Sequence, residues 1–199
     1  MGRWEPNARG RLEQAAIELY AERGFEQTTV AEIAERAGLT ERTFFRHFAD
    51  KREVLFGGVG DVTGLLVDAV AAASDSATPL EAVGAGLTAF ATLLEEQRGR
   101  QFARKRQRII ASNDELRERE LIKLATWATT LAGAVRARGV DEASAKLAGE
   151  VGIALFKTAF DRWVATSRGP TLAELIRETL DRLKALSASP GRAVVAKAL

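Results

Sequence analysis

At four breaks in its helical pattern this chain sets a hydroxyl residue three places ahead of a glutamate: Thr29-Val-Ala-Glu32, Thr78-Pro-Leu-Glu81, Ser112-Asn-Asp-Glu115 and Thr171-Leu-Ala-Glu174. At that spacing the hydroxyl accepts a free N–H of a helix's first turn, and the carboxylate reaches back to the backbone N–H of the capping residue. Each tetrad is therefore a helix start, and Pro79 at the first helical position strengthens the second. Gly24, Gly38, Gly139 and Gly169-Pro170 supply the breaks. No stretch alternates apolar and polar residues with the period of two that a half-buried strand needs. An all-α chain of about nine helices follows: 8–23, two short helices within 29–48, then 51–72, 79–98, 100–111, 113–138, 141–167 and 171–187. Residues 189–199 are expected to form a loosely ordered tail.

The 199 residues, 46% hydrophobic and 28% charged, suffice for one or two small cores. There is no cysteine and one histidine, His47. That excludes disulfides, zinc–thiolate sites and histidine metal clusters, and the sequence offers His47 no partners for a Ser-His-Asp triad, so no enzyme, metal or cofactor is expected. No apolar run reaches the roughly eighteen residues of a membrane helix, and no signal-peptide core stands at the start. A cytoplasmic protein without a membrane partner is the expectation. The first 56 residues carry nine Lys/Arg against ten Asp/Glu, and the whole chain is only +2. Bulk charge thus announces no nucleic acid. The basic signal is local, at Arg42, Arg46, Lys51 and Arg52, with Arg3, Arg9 and Arg11 near the N-terminus.

Gly38–Lys51, GLTERTFFRHFADK, carries that signal. Thr40 caps a short helix, and Leu39 and Phe44 stand at the positions of a hydrophobic staple. Phe44 and Phe48 share one face, while Arg42 and Arg46 fall almost opposite with Thr43 beside them. Upstream of the turn at Gly38, Val30, Ile33, Ala34 and Ala37 line one face of another short helix. Two such helices make a helix-turn-helix, over about 29–48, whose second helix would enter a DNA major groove. An ordinary helical hairpin with a solvated charged face has the same pattern.

Residues 15–55, AAIELYAERGFEQTTVAEIAERAGLTERTFFRHFADKREVL, resemble the TetR family of transcriptional regulators. The resemblance rests on Gly24-Phe25, the Thr28-Thr29 start, the Ala37-Gly38 turn and Phe48-x-x-Lys51. It implies a DNA-binding domain over 1–55 and a ligand-binding and dimerisation domain over 56–188. It also implies a homodimer that a small-molecule effector releases from a double-stranded DNA operator. Carried over position by position, Thr28 and Thr29 would contact phosphate, and Thr40, Arg42 and Thr43 form the front of the recognition helix. Phe45 stands where the family usually has tyrosine, Arg46 and His47 follow, and Lys51 opens the next helix beside the DNA backbone. Arg42 suits base readout, because a guanidinium pairs with guanine O6 and N7. The combination TFFRHF…LFG with RQRIIAS…ELRERE further resembles a subgroup associated with acyl-CoA-type effectors. The alternative is a helical ligand-binding or architectural interaction protein with only weak DNA binding.

The C-terminal part is less specific. Phe90, Phe102, Trp127, Phe156 and Phe160 are candidates to line a ligand pocket, and each is also an ordinary core residue. Helix 141–167 is apolar on two opposite faces, Leu147, Val151 and Leu155 on one, Ile153, Phe156, Phe160 and Val164 on the other, with Trp163 flanking. A helix of that kind needs cover on both sides. With Leu172, Ile176 and Leu183 of helix 171–187, these residues suit a dimer interface; burial within one chain is the alternative. Arg98–Arg108 holds six Lys/Arg and no acid, a solvated face or a phosphate-binding one.

Overall fold

The computed structural model describes residues 7–57 and 62–188. Arg3 and the 189–199 tail lie outside the described residues. Within them the chain is all-α, with ten helices: α1 Ala8–Arg23, α2 Val30–Arg36, α3 Glu41–His47, α4 Glu53–Phe56, α5 Val62–Ala71, α6 Pro79–Gln97, α7 Gly99–Ala111, α8 Asp114–Ala137, α9 Glu142–Ala165 and α10 Leu172–Ala188. The expected single helix over 51–72 is instead α4 and α5. Lys51 and Arg52 form a turn, and α4 ends after one turn at its C-cap Gly57, which opens the glycine-rich GGVG segment.

Three of the four tetrads close as capping boxes, at Thr29/Glu32, Thr78/Glu81 and Thr171/Glu174. The fourth is displaced by one residue. Asn113, not Ser112, accepts the Leu116 N–H at 3.0 Å, while Ser112 ends α7 and donates to the Ile109 carbonyl. Between α2 and α3, Gly38 takes φ 65°. There the Leu39 N–H reaches the Ala34 carbonyl at 2.8 Å and the Gly38 N–H that of Glu35 at 2.9 Å. This paired closure satisfies the end of α2 and needs the left-handed conformation that glycine adopts without strain.

Two apolar cores form. One gathers Leu12, Ile17, Tyr20, Ile33, Phe44, Phe48 and Leu55 around α1–α4, and takes in Ile109, Ile110 and Leu116 from the α7–α8 junction. The other lies within α5–α10. The first core thus crosses the expected boundary near residue 55: the end of α7 belongs to the packing of the N-terminal unit. Helices α8 and α9 approach so closely that a methyl at Gly149 would run into the Ala128 carbonyl oxygen.

Helix α9 is covered mainly by its own chain. Phe156, Phe160, Trp163 and Leu155 are buried, as are Leu172 and Ile176 of α10. These six, expected at a dimer contact, face intrachain neighbours because α10 and the α6–α8 layer cover both sides of α9. Leu147 stays 64% exposed, with Val151 and Leu183 partly so, and Leu186 is 71% exposed.

Candidate functional site

Helix α3 is anchored by Phe44 and Phe48, whose rings lie 5.5 Å apart and are fully inside the first core. Thr40 caps it by accepting the Thr43 N–H at 3.2 Å, and the two hydroxyls are 3.1 Å apart. Arg42 and Arg46 then point outward with Phe45, which is 55% exposed and edge-on to Phe44. Neighbouring arginines are consumed: Arg23 pairs with Glu32, Arg36 with Glu22 and Glu18, Arg52 with Asp50 and Glu115. Among the described residues Arg42 and Arg46 make no ion pair. The Arg46 guanidinium lies 3.5 Å from His47 Nε2. Burial first, then the Arg46 and Arg9 charges, hold the His47 pKa below its ordinary value, so the imidazole is neutral at pH 7.

Two expected contact residues are turned inward. Thr28 is 1% exposed and its hydroxyl donates to the Gly24 carbonyl at 2.8 Å, so its side chain is unavailable to a phosphate. Lys51 Nζ donates to the carbonyls of Phe25, Glu26 and Thr28 at 3.0, 3.3 and 3.1 Å and sits 4.4 Å over the Phe25 ring. It holds the loop that delivers Thr29, the exposed cap of α2.

The second feature is a partly open cavity of about 60 Å³. Phe90, Phe102, Trp127, Phe156 and Phe160 all line it, with Leu94 and Leu124. Phe90, Trp127 and Phe156 form an edge-to-face triangle with centroids 4.6, 5.7 and 5.8 Å apart. Leu55 and Phe56 of α4 close one side. An outer groove of about 240 Å³ shares Glu120, Leu124, Phe156 and Phe160 with it and continues between α7, α8 and α9.

The cavity wall also holds Arg98, Arg106, Glu120 and Lys123. Arg106 donates Nε to the Leu55 carbonyl at 2.6 Å and both Nη groups to Glu120 at 3.3 and 2.6 Å. Lys123 Nζ donates to the Phe56 carbonyl at 3.1 Å. Burial, reinforced by Arg106, pulls the Lys123 pKa down to about 8. Arg98 pairs with Glu13, a carboxylate of α1 that is 1% exposed and whose pKa burial raises. Arg100 donates to the Gly169 carbonyl at 3.1 Å and lies 5.5 Å over Trp163. Arg98 at the α7 cap and Arg100 and Arg106 of α7 therefore tie this helix to three other parts of the chain, where a solvated face or a phosphate-binding one was expected.

Sequence reasoning missed Glu120 and Lys123. Their signal was present: Glu120, Lys123, Leu124 and Trp127 follow at i, i+3, i+4 and i+7, one inward stripe whose first two members are charged. No group of His, Cys, Asp or Glu among the described residues could hold a metal ion, and no described helix is long and apolar enough to cross a membrane.

Residues 13–56 match the family described as bacterial regulatory proteins, tetR family, and residues 77–187 match the MftR C-terminal domain. A candidate mycofactocin biosynthesis transcriptional regulator, MftR, of Mycobacterium tuberculosis (strain H37Rv) is 33% identical over 143 residues, covering 69% of each chain. The transcriptional repressor KstR2 of Rhodococcus jostii (strain RHA1) is 38% identical over 79 residues, 38% of this chain and 39% of that one. Thermus thermophilus FadR, a TetR-family repressor solved in complex with lauroyl-CoA, aligns over 96% of this chain and all of its own, with a TM-score of 0.56 at 24% identity. At that identity the likeness is one of fold.

Proposed function

The chain belongs to the TetR family of bacterial transcriptional regulators, and from that premise we propose that it is a repressor released from a palindromic operator by a small hydrophobic or acyl-CoA-like effector. Its DNA face is Thr29, Thr40, Arg42, Thr43, Phe45, Arg46 and His47. Arg42 reads a base edge, Arg46 contacts the backbone, and Phe45 offers apolar contact to sugar or a thymine methyl. The observation that carries the reading is the position of the cavity. It is closed by Leu55 and Phe56 of α4, the helix that directly follows the helix-turn-helix. A ligand that fills it must press on the joint between the two cores.

The regulator acts as a homodimer, with Leu147, Val151, Leu183 and Leu186 as the apolar residues of α9 and α10 still open to a second copy. Two recognition helices then meet successive major grooves about 34–36 Å apart, or a multiple of that turn. Selection of bound DNA from a random pool should return an inverted repeat. A single asymmetric site, or none, would remove the operator reading and favour a helical ligand-binding protein. Long-chain acyl-CoAs titrated against the protein–operator complex should release DNA. By linkage, operator must weaken acyl-CoA binding by the same factor. Release without that reciprocity rules out coupling through the cavity.

A further inference from the structure

Each arginine of the cavity wall has a carboxylate partner, Arg98 with Glu13 and Arg106 with Glu120. Lys123 has none within ion-pair distance among the described residues. The charges that act on it are those of Arg106 of α7, Glu120 and Arg119 of α8, and Glu53 of α4. Glu120 is engaged by Arg106, and Glu53 by Arg119. The lysine is the cation left over. Its ammonium is held by one carbonyl, that of Phe56, and lies 5.1 Å over Trp127 and 5.9 Å over Phe56. A half-buried ammonium on so few partners is poorly compensated, which its lowered pKa also reflects. Such a group is characteristic of a site completed by something else.

We propose that Lys123 is the head-group site of the cavity: it binds an anionic oxygen at the end of an apolar chain whose carbons lie among Phe90, Trp127, Phe156 and Phe160. The inference rests on the cavity being the effector site and adds the effector's charge and its orientation. It also supplies a coupling step. Phe56 is the last residue of α4, so its carbonyl is one that the helix itself leaves unpaired. The neighbouring Leu55 carbonyl is held by Arg106. The cation that would receive the anion is thus one of the two that grip the end of α4. A carboxylate or phosphate makes a stronger charge-assisted bond than a peptide carbonyl. Occupation draws Lys123 from Phe56 and frees the joint behind the recognition helix.

Calorimetric titration of the full chain at pH 7 with decanoate, decyl phosphate and decanol separates charge from chain. Both anions should bind at least about tenfold more tightly than decanol, and the tighter of the two identifies carboxylate or phosphate as the head. In Lys123→Met both should fall to the affinity of decanol while decanol itself is retained. At equal occupancy, decanoate should release the selected operator from the wild type and decanol should not. Equal affinity of all three for the wild type, or an undiminished anion preference in Lys123→Met, overturns the head-group site and leaves the cavity as an effector site. Binding of none of the three overturns both.

Discussion

Lys51 and Arg42 are both cations of the helix-turn-helix region, and their surroundings separate their roles. Lys51 spends its three N–H groups on three carbonyls, whereas Arg42 is exposed and makes no ion pair among the described residues. Arg42→Ala should relax base preference at one position per half-site, at about 1–3 kcal/mol there. Lys51→Ala should lower the thermal midpoint and weaken all sequences alike, with little change in the salt slope. Binding measured across a salt series decides: a slope reduced by about one unit in Lys51→Ala would return that residue to a phosphate. Lys123 carries a pH signature of its own. Its ordinary pKa of 10.5 falls to about 8 on folding, so the unfolded chain holds more protons between those values. Stability therefore rises as pH climbs through that window, and below it the folded state bears the cost of a buried charge. Lys123→Met should be more stable than wild type at pH 7, by about 3 kcal/mol at most, and lose the gain near pH 10.5. Urea denaturation at both pH values tests this; an equal or larger gain at the higher pH would contradict it.

Helix starts and stops are local events, and most were decided by neighbouring residues. The exception at Ser112 is instructive, because Ser112 and Asn113 are equally good caps. Asn113 wins where its side-chain N–H₂ can also donate to Glu26 at 2.8 Å, and Glu115 is left to pair with Arg52. A contact with the N-terminal unit chose the register of α8. Close packing of α8 on α9 is similarly specific. Gly149→Ala should cost about 1–3 kcal/mol, since the backbone of α8 must move to admit a methyl. Thermal denaturation with unchanged affinity for operator at low temperature is the expected result. A neutral substitution would show that the two helices can separate freely.

At the scale of the whole molecule, the two cores are joined by polar contacts: Glu13 with Arg98, Leu55 with Arg106, Phe56 with Lys123 and Glu53 with Arg119. Each of them reaches α1 or α4 from α8, α7 or the α7 cap Arg98, and three of the four cations, Arg98, Arg106 and Lys123, stand in the wall of the cavity. Charge placed on α9 distinguishes core from assembly. Phe156→Glu should unfold the C-terminal helices, because Phe156 is 6% exposed and an unpaired buried charge is costly. Leu147→Glu, at a residue 64% exposed, should leave the fold intact and shift the protein from dimer to monomer. Light scattering at micromolar concentration, with circular dichroism for the fold, checks both. A wild-type monomer under those conditions would remove the dimer and the inverted repeat together.

Helix type, the helix-turn-helix and its outward Arg42 and Arg46 were determined by the sequence alone, and the family resemblance set Phe45 beside them. Capping, periodicity and turn chemistry act over three or four residues and leave their mark in any short window. The five aromatics proposed for a pocket do converge on one cavity, although the pattern that placed them inward could not say that they surround a space. Four things waited for the tertiary structure: the inward hydroxyl of Thr28, the commitment of Lys51 to carbonyls, the cover over Trp163, Leu172 and Ile176, and the charges of Glu120 and Lys123 inside the wall. Each depends on what a distant segment brings to that residue. A lysine four residues before a tryptophan looks solvated until α4 and α7 close over it, and only the packed molecule decides whether its ammonium meets water, a carbonyl or a ligand.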